Sequence, residues 1–188
     1  MPLFGLGRPF WPAFGESIRQ VSDIKLVARF SGETDVPISE LDRTQKKNPL
    51  EWEGYAHLSR LGYEQSLLHE QGDASANIDV LMLLGGEWHY WDMKTIERGI
   101  HALRKRMTEC YSKWERLTDG EANVPDGIDL SMLGGPRAII DNRYSEITDD
   151  EARRQIRESM RYLSGRGEFD FPQSILILKD GTVEVIDK

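Results

Sequence analysis

The chain has 188 residues, 32 acidic against 24 basic, for a formal net charge of −8 and a pI of about 5.1. With 39% hydrophobic residues, five Trp, six Tyr and six Phe, it can fill the core of one domain, which excludes wholesale disorder, and no apolar run approaches the roughly 20 residues of a membrane span. The single Cys110 excludes an internal disulfide framework and a multi-cysteine zinc site, while the acid excess argues against a partner gripped by bulk positive charge.

Residues 1–47 read as an N-terminal arm or small extension. Met1–Phe14 lack a basic n-region and carry Pro2, Pro9 and Pro12, so they do not read as a signal peptide. Asp23–Phe30 alternates as a strand, and Gly32–Asn48 is polar and loop-like. From Pro49 the signals sharpen into a domain over 48–188. Pro49 with Glu51 and Glu53 starts a helix to Leu61, closed by Gly62. Ile78–Leu84 and Glu87–Lys94 are apolar runs joined by Gly85-Gly86, a hairpin turn that needs positive φ. Apolar residues at steps of three and four predict a helix over Thr95–Leu117. Arg137–Asp141 is a buried strand, and Thr148–Glu151 is a capping box opening a helix through Leu163. Ser174–Lys179 and Thr182–Ile186 close the chain as a hairpin across Asp180-Gly181. The order predicts an α/β class built as an α+β sandwich, a mixed sheet flanked by helices.

The register of the first hairpin carries the chemistry. A two-residue turn at Gly85-Gly86 sets Leu84 opposite Glu87 and Asp79 opposite Asp92, with Cβ atoms roughly 4.5–5.5 Å apart. Lys94, two residues beyond Asp92, emerges on the same sheet face. Opposed carboxylates destabilise a sheet unless a cation lies between them. Lys94 meets part of that need, and a hard divalent ion, Mg²⁺ or Mn²⁺, meets the rest. Glu53, with Glu51 as the alternative, is the third carboxylate of such a pocket. The metal ligands are then Asp79, Asp92 and Glu53, with Lys94 orienting water or stabilising developing charge in phosphodiester hydrolysis. A bare D-x-K pattern is common as a solvated strand end; register, helix and neighbouring basic residues together single this one out.

Asp79, then Asp92-Met93-Lys94, preceded by a helix carrying Glu53, resembles the PD-(D/E)xK nucleases of the restriction-endonuclease-like fold. The resemblance implies that the two acids bind metal, the lysine assists catalysis and a helical glutamate joins them. Ile78 stands where that family usually has proline. Over residues 50–188, Glu53-Gly54-Tyr55-Ala56, Leu61-Gly62-Tyr63, Trp91–Thr95, Arg137–Asp141 and the Ile175–Ile186 hairpin are similar to the C-terminal toxin domains of contact-dependent growth-inhibition proteins, the CdiA-type tRNA nucleases. That likeness implies tRNA cleavage in the cytoplasm of a target cell, delivery from a secreted parent protein and neutralisation by a small immunity protein. A DNA endonuclease of the restriction or repair kind and a non-catalytic nuclease-fold binding or immunity protein stay open as alternatives.

Arg98 to Arg116 holds six basic residues against two acidic. Arg98, Arg104 and Lys105 are the candidate nucleic-acid contacts, against the alternative of an ordinary solvated helix face. His57, one turn after Glu53, is more simply a surface residue than a pocket residue. His89 alternates away from Asp92, and Trp88 and Tyr90 read as core. The chain average of −8 hides a locally basic helix, so an acidic pI stays compatible with a nucleic-acid substrate.

Overall fold

The computed structural model describes residues 26–30, 49–68, 80–97, 102–120 and 129–188. Seven strands form one mixed sheet in simple chain order: β1 Leu26–Phe30, β2 Gln65–Leu68, β3 Val80–Leu84, β4 Glu87–Thr95, β5 Arg137–Asp141, β6 Gln173–Ile177 and β7 Val183–Asp187. Three helices flank it: α1 Pro49–Arg60, α2 Ala102–Thr118 and α3 Asp149–Arg166. This is the expected α+β architecture. β1 to β4 pair antiparallel, β4, β5 and β6 run parallel, and β7 returns antiparallel. The two parallel steps coincide with the two helical crossovers, because a parallel partner cannot be reached by a tight turn.

The turn at Gly85 (φ 63°) and Gly86 (φ 88°) has the left-handed geometry that glycine tolerates. It fixes the predicted register through every described pair, from Leu84 opposite Glu87 to Val80 opposite Trp91. Asp79, the next residue outward, lies outside the described residues. So do most of the arm over 1–47, in which only the backbone strand β1 appears, and Arg98 and His101.

Two elements depart from the sequence expectation. β2 falls where no strand was predicted, since QSLL is four residues long and half polar; pairing with β1 and β3 on both sides supplies what its own pattern lacks. The second helix starts at Ala102, not Thr95, because the last four residues of β4, Asp92–Thr95, are pinned to Ala138–Asp141 of β5. Ladder hydrogen bonds win over helical periodicity in that stretch.

Alternation along β4 splits the core into two layers. Ile96 packs with Leu103, Met107, Cys110, Ala138 and Ile140 beneath α2 and α3. Trp91 and Met93 pack with Tyr55, Leu58, Val80 and Ile139 beneath α1. β4 therefore presents Asp92 and Lys94 to α2, on the face away from α1.

The Thr148 hydroxyl caps α3, accepting from the Glu151 N–H as predicted. At the other end Gly167 lies against Tyr111: an added Cβ would run into the phenol oxygen and lie 2.5 Å from its Cζ. The ring cannot step aside, because its hydroxyl donates to the Phe169 carbonyl (2.9 Å) and accepts from the Phe169 N–H (2.8 Å). Gly167→Ala is expected to destabilise the fold by about 1–3 kcal/mol through overpacking. A thermal midpoint equal to the parent's would contradict this packing.

Candidate functional site

Asp92 is the centre of the site. Its side chain is 1% exposed, and the Lys94 ammonium lies 3.2 Å from Oδ1 and 3.1 Å from Oδ2. A two-residue step along one strand puts both groups on one face, as the sequence indicates. The α2 helix adds what the sequence reading missed. Lys113 reaches Asp92 Oδ1 at 3.5 Å, and the Cys110 thiol hydrogen-bonds the same carboxylate. Cys110 and Lys113 are three residues apart, so one helical turn aims both at β4. That spacing, beside the buried Trp114, was the available signal. The basic residues of α2 instead read as one outward face.

The charges are strongly coupled. Burial pushes the Asp92 carboxyl up, but the Lys113 and Lys94 ammoniums pull harder and hold it below the ordinary carboxylate range. Burial pulls the Lys94 ammonium down, and Asp92 overrides it and holds it above the ordinary lysine range. The Cys110 thiol is pushed well up by burial and then by the Asp92 charge, so it stays protonated and serves as a donor. The sign of the linkage follows. Asp92's contribution to stability is present above its unfolded pKa of about 3.9 and is lost as pH falls through its lower folded value; that of Lys94 is present below about 10.4 and is lost as pH rises through its higher folded value. Stability from this cluster is therefore flat only between roughly pH 4 and 8, because from about pH 8.5 upward the unfolded chain's Cys110 ionises while the buried thiol stays protonated. Denaturant midpoints of Asp92→Asn measured below pH 4 are expected to fall less steeply with acid than the parent's. Equal slopes would contradict the assignment.

Both carboxylate oxygens are buried and face cations, Oδ1 the Lys94 and Lys113 ammoniums and Oδ2 the Lys94 ammonium at 3.1 Å. Among the described residues no three His, Cys, Asp or Glu side chains come close enough to hold a metal ion. The glutamates of α1 divide between two places. Glu51 acts electrostatically on Lys94, whereas Glu53 is exposed and bonds the Tyr144 hydroxyl. Close by, the fully buried Asp141 is clamped by Arg143, with Nε to Oδ1 at 2.9 Å and Nη2 to Oδ2 at 2.7 Å. Asp141 sits on the α1 side, where a Cβ on Gly54 would come within 3.4 Å of it. Glu53 is thus gathered with Arg143 and Tyr144 and not with Asp92.

Of the predicted nucleic-acid contacts, Arg104 lies over the Tyr162 ring at 4.3 Å on the α2–α3 seam, and Lys105 is 79% exposed, 4.0 Å from Glu109. His57 hydrogen-bonds the Gly181 carbonyl at 2.6 Å and ties α1 to the closing hairpin, which explains its place on that helix without a role in chemistry. Tyr90 packs on Trp114 with ring centroids 5.3 Å apart.

A scan of protein-family models gives no match to the chain, and a search of curated proteins gives none. Among solved structures the chain is similar to one chain of the CdiA-CT/CdiI toxin and immunity complex from Burkholderia pseudomallei. The sequence identity is 16% and the TM-score 0.45, over 82% of this chain and 95% of that one.

Proposed function

We propose that the protein is a metal-dependent nuclease that hydrolyses phosphodiester bonds, with Asp79 and Asp92 as metal ligands and Lys94 as the catalytic lysine. The observation that carries this reading is a fully buried carboxylate held ionised by two lysines at the junction of antiparallel and parallel strands. An isolated buried charge costs several kcal/mol, and natural cores retain such clusters chiefly where chemistry uses them. The sequence register, carried one residue beyond the described Val80–Trp91 pair, would set Asp79 opposite Asp92. Of the two α1 glutamates named for the third carboxylate, Glu51 acts electrostatically on Lys94 while Glu53 lies with Tyr144, which favours Glu51.

When bound, Mg²⁺ or Mn²⁺ supplies neutralising charge for the phosphate and lowers the pKa of a ligated water. The chain's own groups do the rest. Lys94, held charged by Asp92, donates hydrogen bonds to the water or to a non-bridging phosphate oxygen as negative charge develops there. Lys113 shares the carboxylate with Lys94 and so fixes its direction. Cys110 closes the floor of the site against water. Arg98, Arg104 and Lys105, which follow Lys94 in the sequence, are proposed to contact the substrate backbone.

The substrate we infer is tRNA and the setting a toxin domain acting in the cytoplasm of a target cell, neutralised by a small immunity protein. Both come from the sequence resemblance. Among the described residues no helix is long and apolar enough to cross a membrane. The test is to incubate the purified protein with total tRNA and with plasmid DNA in parallel, with Mg²⁺ and with a chelator. Cleavage of tRNA alone, abolished by the chelator, is the expected result. Cleavage of plasmid alone would move the reading to the DNA endonuclease, and metal-independent cleavage or none at all would overturn it.

A further inference from the structure

On the α1 face of the sheet, away from Asp92, three N–H-bearing groups are buried without an acceptor: Arg137 Nε, Trp91 Nε1 and His89 Nδ1. They are neighbours. The parallel ladder pairing Asp92 with Ala138 sets Trp91 beside Arg137 one step earlier, with the guanidinium 5.8 Å from the indole centroid. His89 lies two residues before Trp91, on the same face. Arginine and tryptophan nitrogens can only donate, and His89 Nδ1 donates in one tautomer, so the cluster is rich in donors and short of acceptors. Among the described residues the cluster's acceptor is the Leu133 carbonyl, which takes a hydrogen bond from Arg137 Nη1 at 2.8 Å and also engages the His89 ring.

The charge is as unbalanced as the hydrogen bonding. Arg137 is 7% exposed, and among the described residues no carboxylate forms an ion pair with it. Burial pushes its guanidinium down to about 10, and the charge of Glu87, itself 81% exposed, restores only part. A buried cation without a counter-ion is among the costlier features a fold can carry. The cluster lies just beneath the surface, since the His89 side chain keeps 12% exposure although its Nδ1 is buried. Backbone at Gly134 passes so close that a Cβ there would lie 3.3 Å from both terminal guanidinium nitrogens. The absence of a side chain at residue 134 leaves the fork uncrowded.

We propose that Arg137, His89 and Trp91 form an anion site that takes a phosphate group, either as inorganic phosphate or as the phosphate of a nucleotide. Donors from three separate side chains suit a tetrahedral group with three free oxygens better than a planar carboxylate with two. The arginine fork supplies the charge, and the indole and imidazole supply direction. The site stands independently of the nuclease reading, being on the other face of the sheet from Asp92 and Lys94.

The experiment is thermal unfolding of the full chain in sodium phosphate against sodium chloride at equal ionic strength, with adenosine monophosphate as a second arm. The parent midpoint is expected to rise by about 3–6 °C when phosphate stands tenfold above its Kd. Arg137→Gln is expected to abolish that rise; if this variant does not fold, His89→Phe, which removes the imidazole donor and keeps ring volume, is expected to shrink it. A response at much lower concentrations of the nucleotide than of phosphate identifies the phosphate as part of a nucleotide, and equal responses identify the free ion. No phosphate-specific rise in the parent would overturn the site. So would an undiminished rise in the variants, or a rise lost in Lys94→Met yet kept in Arg137→Gln, which would put the anion on the opposite face.

Discussion

On the proposed mechanism, Asp92→Ala is expected to reduce nucleic-acid cleavage by roughly 10³-fold or more, since it removes both a proposed metal ligand and the anchor that directs Lys94. The same substitution is expected to destabilise the fold. It leaves the Lys94 and Lys113 ammoniums at 16% and 14% exposure with their shared carboxylate gone. Losing one partner of a fully buried ion pair costs about 3–5 kcal/mol, and the residual exposure of both lysines places this case toward the lower end. Chemical denaturation and a tRNA cleavage assay on the same preparation read the two effects. A variant as active as the parent would remove Asp92 from the chemistry.

Lys94→Met separates activity from stability. The aliphatic stem is retained, so packing is conserved while the ammonium is lost. Cleavage is expected to fall by about 10²–10³-fold, the usual cost of one preorganised stabiliser of developing charge. Stability should drop only by about 1.5–3 kcal/mol, the worth of a hydrogen bond to a charged group, because Lys113 and the Cys110 thiol still satisfy Asp92. Lys94→Arg should not restore the rate, because a planar fork cannot reproduce a compact ammonium in a buried site. Removing both lysines strips Asp92 of compensation, so the double variant should lose more stability than the two single changes combined. Additive losses would show that Lys113 does not share the carboxylate.

The parts of the fold legible in the sequence were those set by local chemistry. Gly85-Gly86 dictates a two-residue turn, and with it the register from Leu84–Glu87 to Val80–Trp91. Thr148 dictates the start of α3 through its hydroxyl. What escaped depends on partners distant in the chain. β2 is a strand because β1 and β3 flank it, and β4 runs on to Thr95 because β5 lies parallel beside it. The site divides in the same way. Asp92 and Lys94 could be placed together from a period of two, whereas Lys113 and Cys110 required knowing how α2 is rotated against β4. Which α1 glutamate acts on Lys94 turns on the placement of that helix, which the sequence does not specify. The sequence favours Glu53, and the electrostatics link Glu51 to Lys94.

Calorimetric titration with Mn²⁺ tests the proposed metal site between the facing strands most directly. The parent should bind the ion with an affinity that falls at least tenfold in Asp79→Asn and again in Asp92→Asn, while Asp141→Asn, whose carboxylate is clamped by Arg143 on the other face, should bind as the parent does. Undiminished Mn²⁺ binding in both Asp79→Asn and Asp92→Asn would contradict the account.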